Sequence, residues 1–160
     1  MYKFTDYYRN KVHLSFDKEP FSKNPKHVWV ICRHRNRWLL TKHPTRGIEF
    51  PGGKVEEGER AETAAIREVL EETGGVVKTL EYIAQYNVTG KKDTIIKNVY
   101  FAHIGQLTDI YKEYETLGPL FIKNLPTNLN KQNNYSFMMK DDVLIHCLYH
   151  IKQTKKLPET

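Results

Sequence analysis

The 160-residue sequence contains only two cysteines, and no apolar run in it approaches the ~20 residues of a membrane-spanning helix. Two cysteines are too few for a disulfide-stapled scaffold, so we expect Cys32 and Cys147 to be reduced and structural. The N-terminal residues lack an apolar signal region, and we therefore expect a cytoplasmic protein with no membrane partner. Without repeats, heptads or low-complexity segments, the chain is predicted to form one domain over residues 1–160, with residues 1–26 as an N-terminal extension.

The charge is unbalanced towards the positive. Lysine and arginine number 25 against 19 aspartate and glutamate, a net charge of +6. Hydrophobic residues make up 39% of the chain, which excludes a disordered chain of low hydrophobicity. The positive balance suggests an anionic partner, and at this level a nucleotide, a nucleic acid or simply solvent all fit. No obligate protein partner is implied.

The patterning predicts a mixed protein with two helices. The clearer helix covers residues 61–73, which are rich in Ala, Glu, Arg and Leu and are followed by two glycines, and a closing helix is predicted over residues 142–152. Short apolar or alternating stretches predict strands at residues 12–16, 27–32, 38–40, 76–80, 82–88, 94–104 and 120–122. This pattern fits an α/β or α+β domain better than an all-α one.

The central helix carries three acids on one face. At about 100° per residue, Glu68, Glu71 and Glu72 gather on the side opposite Ile66 and Val69, with neighbouring Cβ atoms about 5–6 Å apart. Each close pair would repel by roughly 2–3 kcal/mol at an effective dielectric near 20. A hard divalent cation removes that cost, and oxygen-only ligands favour Mg²⁺, Mn²⁺ or Ca²⁺ over zinc. The competing interpretation is a solvated acidic helix face.

The segment before the helix favours the metal. Pro51-Gly52-Gly53 predicts a tight turn with positive φ that leaves its backbone groups accessible to a ligand, and Gly58 adds a second flexible point. A flexible loop that leads directly into an acidic helix suits a metal ion and a polyphosphate together.

The same residues carry a family resemblance. Their spacing is similar to the Nudix box: G, five residues, E, seven residues, then R-E-apolar-x-E-E-x-G. The matching positions are Gly53, Glu59, Arg67, Glu68, Val69, Glu71, Glu72 and Gly74, and Gly75 departs from the final apolar position. Residues 25–33, 115–121 and 136–141 also resemble the MutT-like nucleoside triphosphatases and RNA pyrophosphohydrolases of bacilli. The resemblance implies an α/β/α sandwich around a mixed sheet.

The resemblance also implies roles for the box residues, with Mg²⁺ or Mn²⁺ as the cofactor. Glu68, Glu71 and Glu72 are the expected ligands, joined by a backbone carbonyl of Gly52-Gly53. Glu59 and Arg67 are expected to orient each other and the loop rather than to touch substrate. Glu68 is the first candidate for the general base, acting through a metal-bound water. Glu115 is the second, as base or as a further ligand, and the alternative for it is an ordinary loop acid.

A polyphosphate also needs cations and a surface for its base. We expect Lys42, Arg46, Lys54 and Lys97 to flank the phosphates and Gly53 to offer its backbone. Phe50 and Tyr86 are candidates for stacking on a base, worth about 1–3 kcal/mol. Either aromatic residue fits the core equally well by sequence, with Phe50 slightly favoured as a pocket wall.

Three functions follow, in order of preference. The first is hydrolysis of the 5′-triphosphate of RNA to a 5′-monophosphate, or of free nucleoside triphosphates, by the same chemistry. The alternative is removal of oxidised nucleotides as an 8-oxo-dGTP diphosphatase. A nucleotide sensor without catalysis ranks last, because such proteins tend to lose the acids that this chain keeps.

Overall fold

The computed structural model describes residues 1–155 and 157. Nine strands form one sheet, and two α-helices and two short 3-10 turns complete the elements. The strands are β1 (Tyr2–Thr5), β2 (Lys11–Ser15), β3 (His27–His34), β4 (Arg37–His43), β5 (Gly47–Glu49), β6 (Gly52–Lys54), β7 (Gly75–Thr89), β8 (Thr94–Leu107) and β9 (Pro119–Ile122). The helices are α1 (Ala61–Thr73) and α2 (Asp142–Lys155), and the 3-10 turns are Leu129–Lys131 and Phe137–Met139.

The sheet is mixed. Its main strand order is β1-β2-β7-β8-β3-β4-β5, with β6 paired to β3 and β9 paired to β4. The central β3 and β8 run parallel over seven residue pairs, while the other strand pairs are antiparallel. A parallel pair needs a long crossover connection, and here that crossover contains α1.

Alternation along β3 builds two cores, one on each face. Val28, Val30 and Cys32 pack towards α1, whereas Trp29 and Ile31 pack into the larger core beneath α2. A strand that is buried on both faces has a nearly continuous apolar sequence. For this reason, polar and apolar residues do not alternate over residues 27–32. The predicted α/β/α sandwich is confirmed.

Most predicted elements lie at the predicted positions, and α1 has the predicted bounds of residues 61–73. The strands predicted at 76–80 and 82–88 are one long strand, β7, whose pairing with β8 shifts register at three places. Strands β1, β5 and β6 were not predicted. Strands β5 and β6 have only three residues each, and β1, which does alternate, has four. Residues of the predicted N-terminal extension form the edge strand β1 and the next strand, β2.

Two further predictions from the sequence concern the cysteine thiols and membrane-spanning segments. Cys32 and Cys147 are both free and buried, in the cores on opposite faces of the sheet, as predicted for structural thiols. Within the described residues, no helix combines the length and the apolar character needed to cross a bilayer.

Candidate active site

Helix α1 positions the predicted acids. It buries Ala64, Ala65 and Val69 against the sheet and ends at Gly74, whose φ of 76° gives the left-handed cap that glycine accepts. Ile66, placed on the apolar side by the helical wheel, is instead 44% exposed, because the sheet contacts a narrow stripe of small residues. The glutamates lie beside this stripe, facing β6 rather than open solvent.

Glu68 and Glu72 form a partly buried pair. Their carboxyl groups lie within hydrogen-bond reach of each other, and the Gly52 N–H donates to Glu72 Oε1 at 3.2 Å. Burial, followed by the bond to Glu68, raises the pKa of Glu72 to about 9. Burial also raises the pKa of Glu68. Two carboxylates this close repel each other when both are ionised.

Arg67 connects the box. Its Nε and Nη2 donate to the Glu59 carboxylate at 2.8 and 2.9 Å, and its Nη1 donates to Glu68 at 2.9 Å and to Glu71 at 3.1 Å. Nη2 also donates to the Lys54 carbonyl at 3.0 Å, which ties α1 to β6. These bonds hold the pKa of Glu59 at about 2. The geometry agrees with the orienting role predicted for Glu59 and Arg67.

The Gly52-Gly53 segment is not the tight turn that its sequence predicts. Neither glycine has a positive φ, and both lie in β6, paired with Val28 and Trp29 of β3. Glycine is required at these two positions because neighbouring atoms approach the backbone closely, and not because the chain turns there. A Cβ on Gly52 would strike the Val28 carbonyl oxygen, and one on Gly53 would lie 2.5 Å from Glu68 Oε1.

Glu71 differs from the other two glutamates. Its carboxylate bonds Arg67 on one side and Lys112 Nζ on the other, at 3.1 Å each. Within the described part of the chain, no three His, Cys, Asp or Glu side chains converge on one point. The predicted trio is thus divided into an adjacent pair and one ion-paired neighbour. Arg67 bonds both Glu68 and Glu71, so Lys112 is the contact that distinguishes Glu71 from the pair.

Glu115 lies in the turn that follows Lys112. The Glu115 N–H donates to the Lys112 carbonyl, and the Lys112 N–H donates to the Glu71 carbonyl at the end of α1. The side chain of Glu115 is exposed. The segment that carries Glu115 is therefore attached next to the box, and its carboxylate is free to turn.

A cavity of about 230 Å³ opens beside β6. Gly52 and Gly53 line it and also contact the α1 glutamates, so that β6 is shared by the cavity and the acids. The other lining residues come from four distant parts of the chain: His27, Val28, Trp29, Arg46, Lys97, Phe137 and Met138.

The structure brings two of the four predicted lysines and arginines to this cavity. Lys97 is deeply placed, burial lowers its pKa, and its Nζ lies 3.7 Å from Met138 Sδ. Arg46 lies at the rim and bonds the buried Glu49 at 2.7 Å. Lys42 is exposed on β4, and Lys54 projects from β6; neither lines the cavity.

The aromatic predictions are wrong for both candidates. Phe50 is fully buried and packs edge-on against Trp29 and Trp38, and Tyr86 is buried in the same core. Each side chain is packed in the core on the α2 face of the sheet and is not exposed to stack on a base. The sequence did not separate a core position from a pocket wall for Phe50, which lies between the short strands β5 and β6, or for Tyr86 in β7.

Five cavity residues were missed: His27, Val28, Trp29, Phe137 and Met138. The buried Nδ1 of His27 has no hydrogen-bond partner within the described residues, and burial, Lys97 and Lys54 lower its pKa. An unpaired buried nitrogen costs about 1–3 kcal/mol, which a polar group on a ligand would recover. The only sequence signal for Phe137 and Met138 was the family-like segment 136–141, which carries no local pattern.

The donor set of the acids fits a hard divalent cation. Glu68 and Glu72 offer carboxylate oxygens side by side, and a cation between them would offset the repulsion of the two charges. Oxygen ligands of this kind are typical of Mg²⁺ and Mn²⁺ sites.

Comparison with known proteins identifies the family. The NUDIX domain family matches residues 22–113. A Bacillus subtilis protein, YtkD, provisionally named an 8-oxo-dGTP diphosphatase, is 55% identical over 154 residues, which are 96% of this chain and 98% of the relative. The crystal structure of a mutant of the Bacillus subtilis pyrophosphohydrolase BsRppH is similar with a TM-score of 0.95 and 55% identity, covering 96% of this chain and 98% of that one.

A NUDIX hydrolase from Nitrosomonas europaea shares the fold with a TM-score of 0.65 at 18% identity, covering 86% of this chain and 98% of that chain. The family match spans more than half of the sequence, and the 55% identical relative is covered almost completely. The Nudix box, the α/β/α sandwich and these relatives agree, and the chain belongs to the Nudix hydrolase family.

Proposed function

We propose that this chain is a metal-dependent pyrophosphohydrolase that converts the 5′-triphosphate end of RNA to a 5′-monophosphate and also accepts free nucleoside triphosphates. The observation that carries the proposal is the adjacent, partly buried Glu68–Glu72 pair, which shares the β6 strand with a cavity that contains Lys97 and Arg46. The relative described as a pyrophosphohydrolase supports the reaction class. RNA ends and nucleoside triphosphates are cytoplasmic, and we place the protein there.

The proposed cofactor is Mg²⁺ or Mn²⁺, held by Glu68 and Glu72, with Glu71 and the Gly52 carbonyl as further ligands. When bound, such an ion neutralises phosphate charge and lowers the pKa of a bound water. Arg67 already holds both Glu68 and Glu71 by direct hydrogen bonds. Its part is to keep these carboxylates oriented towards β6, since the ligands of a metal depend on the groups that bond them.

The reaction is substitution at phosphorus by water. Glu68 accepts the proton of the water as its oxygen bonds to phosphorus, and the bond from phosphorus to the leaving pyrophosphate oxygen breaks. Lys97 and Arg46 offset the negative charge of the phosphates from the cavity side. Glu115 is the second candidate for the base, since its segment is attached beside Glu71.

An 8-oxo-dGTP diphosphatase activity is the second candidate. One observation inside the cavity favours it. The unpaired Nδ1 of His27 offers a contact for a polar edge of a base. The 55% identical relative bears this name provisionally.

Purified protein should be compared on a 5′-triphosphate RNA, GTP and 8-oxo-dGTP with Mg²⁺ or Mn²⁺. We expect faster turnover of the RNA, loss of turnover in excess chelator, and a Glu68→Gln variant that folds normally but has a kcat lower by orders of magnitude. A preference for 8-oxo-dGTP would select the second candidate. Binding of nucleotide without turnover would indicate a sensor and refute both enzymatic functions.

A further inference from the structure

Two exposed tyrosines project from the turn that joins β1 to β2. Tyr7 is 52% exposed and Tyr8 is 60% exposed, so neither side chain contributes much to the core. We propose that Tyr7 and Tyr8 form a stacking platform for the bases that follow the 5′-terminal nucleotide of a single-stranded RNA. This inference rests on the proposed function and assigns its macromolecular substrate to a defined surface.

The turn is built to hold the two rings in place. Asp6 Oδ1 accepts hydrogen bonds from the Tyr8 N–H at 2.9 Å and the Asn10 N–H at 2.8 Å, and Asp6 Oδ2 accepts from Asn10 Nδ2 at 3.1 Å. Arg9 takes a left-handed φ of 66° to close the turn. A turn fixed by its own hydrogen bonds presents aromatic faces at a low cost in conformational entropy.

The platform is continuous with the cavity through one residue. Tyr7 and Tyr8 contact each other with ring centroids 5.2 Å apart, and Tyr8 contacts Phe137 at 4.9 Å. Phe137 in turn lines the cavity beside Lys97 and Gly53. An aromatic path therefore leads from the proposed triphosphate site to open surface.

Positive charge surrounds this path. Lys140 Nζ lies 5.5 Å from the centre of the Tyr7 ring, and Arg9 and Lys11 are exposed next to it in sequence. The β7–β8 hairpin loop adds the exposed Lys91 and Lys92 beside the same turn, where a Cβ on Gly90 would approach Asn10 Oδ1 to 3.8 Å. The nearby Asp6 carboxylate is engaged within the turn. Aromatic rings among cations are the combination that binds single-stranded nucleic acid.

The size of the cavity favours RNA over a mononucleotide as the occupant of the platform. A space of about 230 Å³ accommodates part of one nucleotide, so the platform outside it is reached by a second or third nucleotide of a chain. A free nucleoside triphosphate has no such extension. A difference between the two substrates should therefore appear when the tyrosines are removed.

The test compares kcat/KM for GTP with kcat/KM for 5′-triphosphate dinucleotides and trinucleotides that begin with G. We expect kcat/KM to rise with length in the unmodified protein. The Tyr7→Ala/Tyr8→Ala double variant should lose roughly 5- to 150-fold of that gain per stacked base, which corresponds to about 1–3 kcal/mol of stacking. The Tyr7→Phe/Tyr8→Phe variant should keep the gain, as should Tyr149→Ala, which removes a tyrosine that is 67% exposed on α2.

Binding of a short 5′-hydroxyl RNA separates this inference from the proposed function, because that RNA has no triphosphate to hydrolyse. The alanine double variant should bind it more weakly than the phenylalanine variant, even if the protein proves not to hydrolyse RNA. If the alanine double variant keeps both the rise of kcat/KM with RNA length and the binding of RNA, the platform is refuted. A surface that binds another protein instead of RNA would give that result. An equal loss in Tyr149→Ala refutes the platform as well.

Discussion

Replacing Gly53 by alanine tests whether β6 and Glu68 are in contact. The added Cβ would lie 2.5 Å from Glu68 Oε1, 2.6 Å from its carboxyl carbon and 2.9 Å from Oε2. Real Cβ atoms do not approach closer than 3.0 Å, so the carboxylate must move by at least half an ångström. Arg67 and Glu72 hold that carboxylate, and the movement therefore disturbs the groups around it.

The expected effect is on kcat rather than on stability. A misplacement of about 1 Å in a catalytic group costs roughly 100-fold in rate, so we expect the kcat of Gly53→Ala to fall by roughly 10- to 100-fold. The clash involves the end of a side chain and not the backbone, so the Tm should change little. Steady-state kinetics and a thermal unfolding curve on the same preparation measure both quantities.

Gly58 provides the matched control. Its φ is 77°, and a Cβ there would meet nothing within 4 Å, so alanine at this position strains the backbone without touching the acids. The left-handed conformation costs a non-glycine residue about 1–2 kcal/mol. We expect a Tm lower by roughly 2–8 °C and a kcat that falls less than in Gly53→Ala. If Gly53→Ala retains the full kcat, Glu68 is not the group on which turnover depends.

Three further changes have distinct expected signatures. Arg67→Ala should raise the half-saturating Mg²⁺ concentration by roughly 10- to 100-fold, because the carboxylates lose their orienting bonds; an unchanged metal dependence would contradict this. Lys97→Met should raise KM by about 10-fold or more without lowering Tm. Lys42→Met, which changes an exposed lysine outside the cavity, should leave KM unchanged. Equal effects of the two substitutions on KM would show that Lys97 does not bind substrate. Burial raises the pKa of Asp141 from 3.8 to about 7, with Asp6 and Asp142 adding to the shift and Lys97 opposing it. The folded state therefore holds this proton more tightly than the unfolded state does. The proton contributes at most about 4 kcal/mol to the free energy of unfolding, and this contribution is full below pH ~4 and is lost as the pH rises through ~7. Asp141→Asn should become more stable relative to the unmodified protein between pH 5 and pH 8 in urea unfolding, and a pH-independent difference would contradict the assignment.

The box was predictable because it is local. Glu68, Glu71 and Glu72 are separated by three and four positions on one helix, so a short window of sequence contains their spacing, and the glycine stop at Gly74 is likewise encoded nearby. Helix α1 and the long strands follow from the same kind of pattern. The division of the three glutamates was not predictable, because it depends on Lys112, which the two long strands β7 and β8 separate from α1.

The cavity was not predictable for the same reason. It joins β3, β6, β8 and the Phe137–Met139 turn, whose contacts depend on the pairing of distant strands. Phe50 was misplaced because three-residue strands carry too little alternation to show which face is buried. Gly52 and Gly53 were expected to form a tight turn but lie in β6, and their closeness to Val28 and Glu68 appears only in three dimensions.

The most direct test of the metal site is a crystal of this protein soaked in Mn²⁺ and measured with anomalous diffraction. The proposed function predicts an anomalous peak in contact with the Glu68 and Glu72 carboxylates, next to the Gly52 carbonyl. The proposed function is contradicted if three results occur together. The two side chains are well ordered and still contact each other, no anomalous peak lies beside them, and the enzyme soaked in Mn²⁺ turns over its substrate.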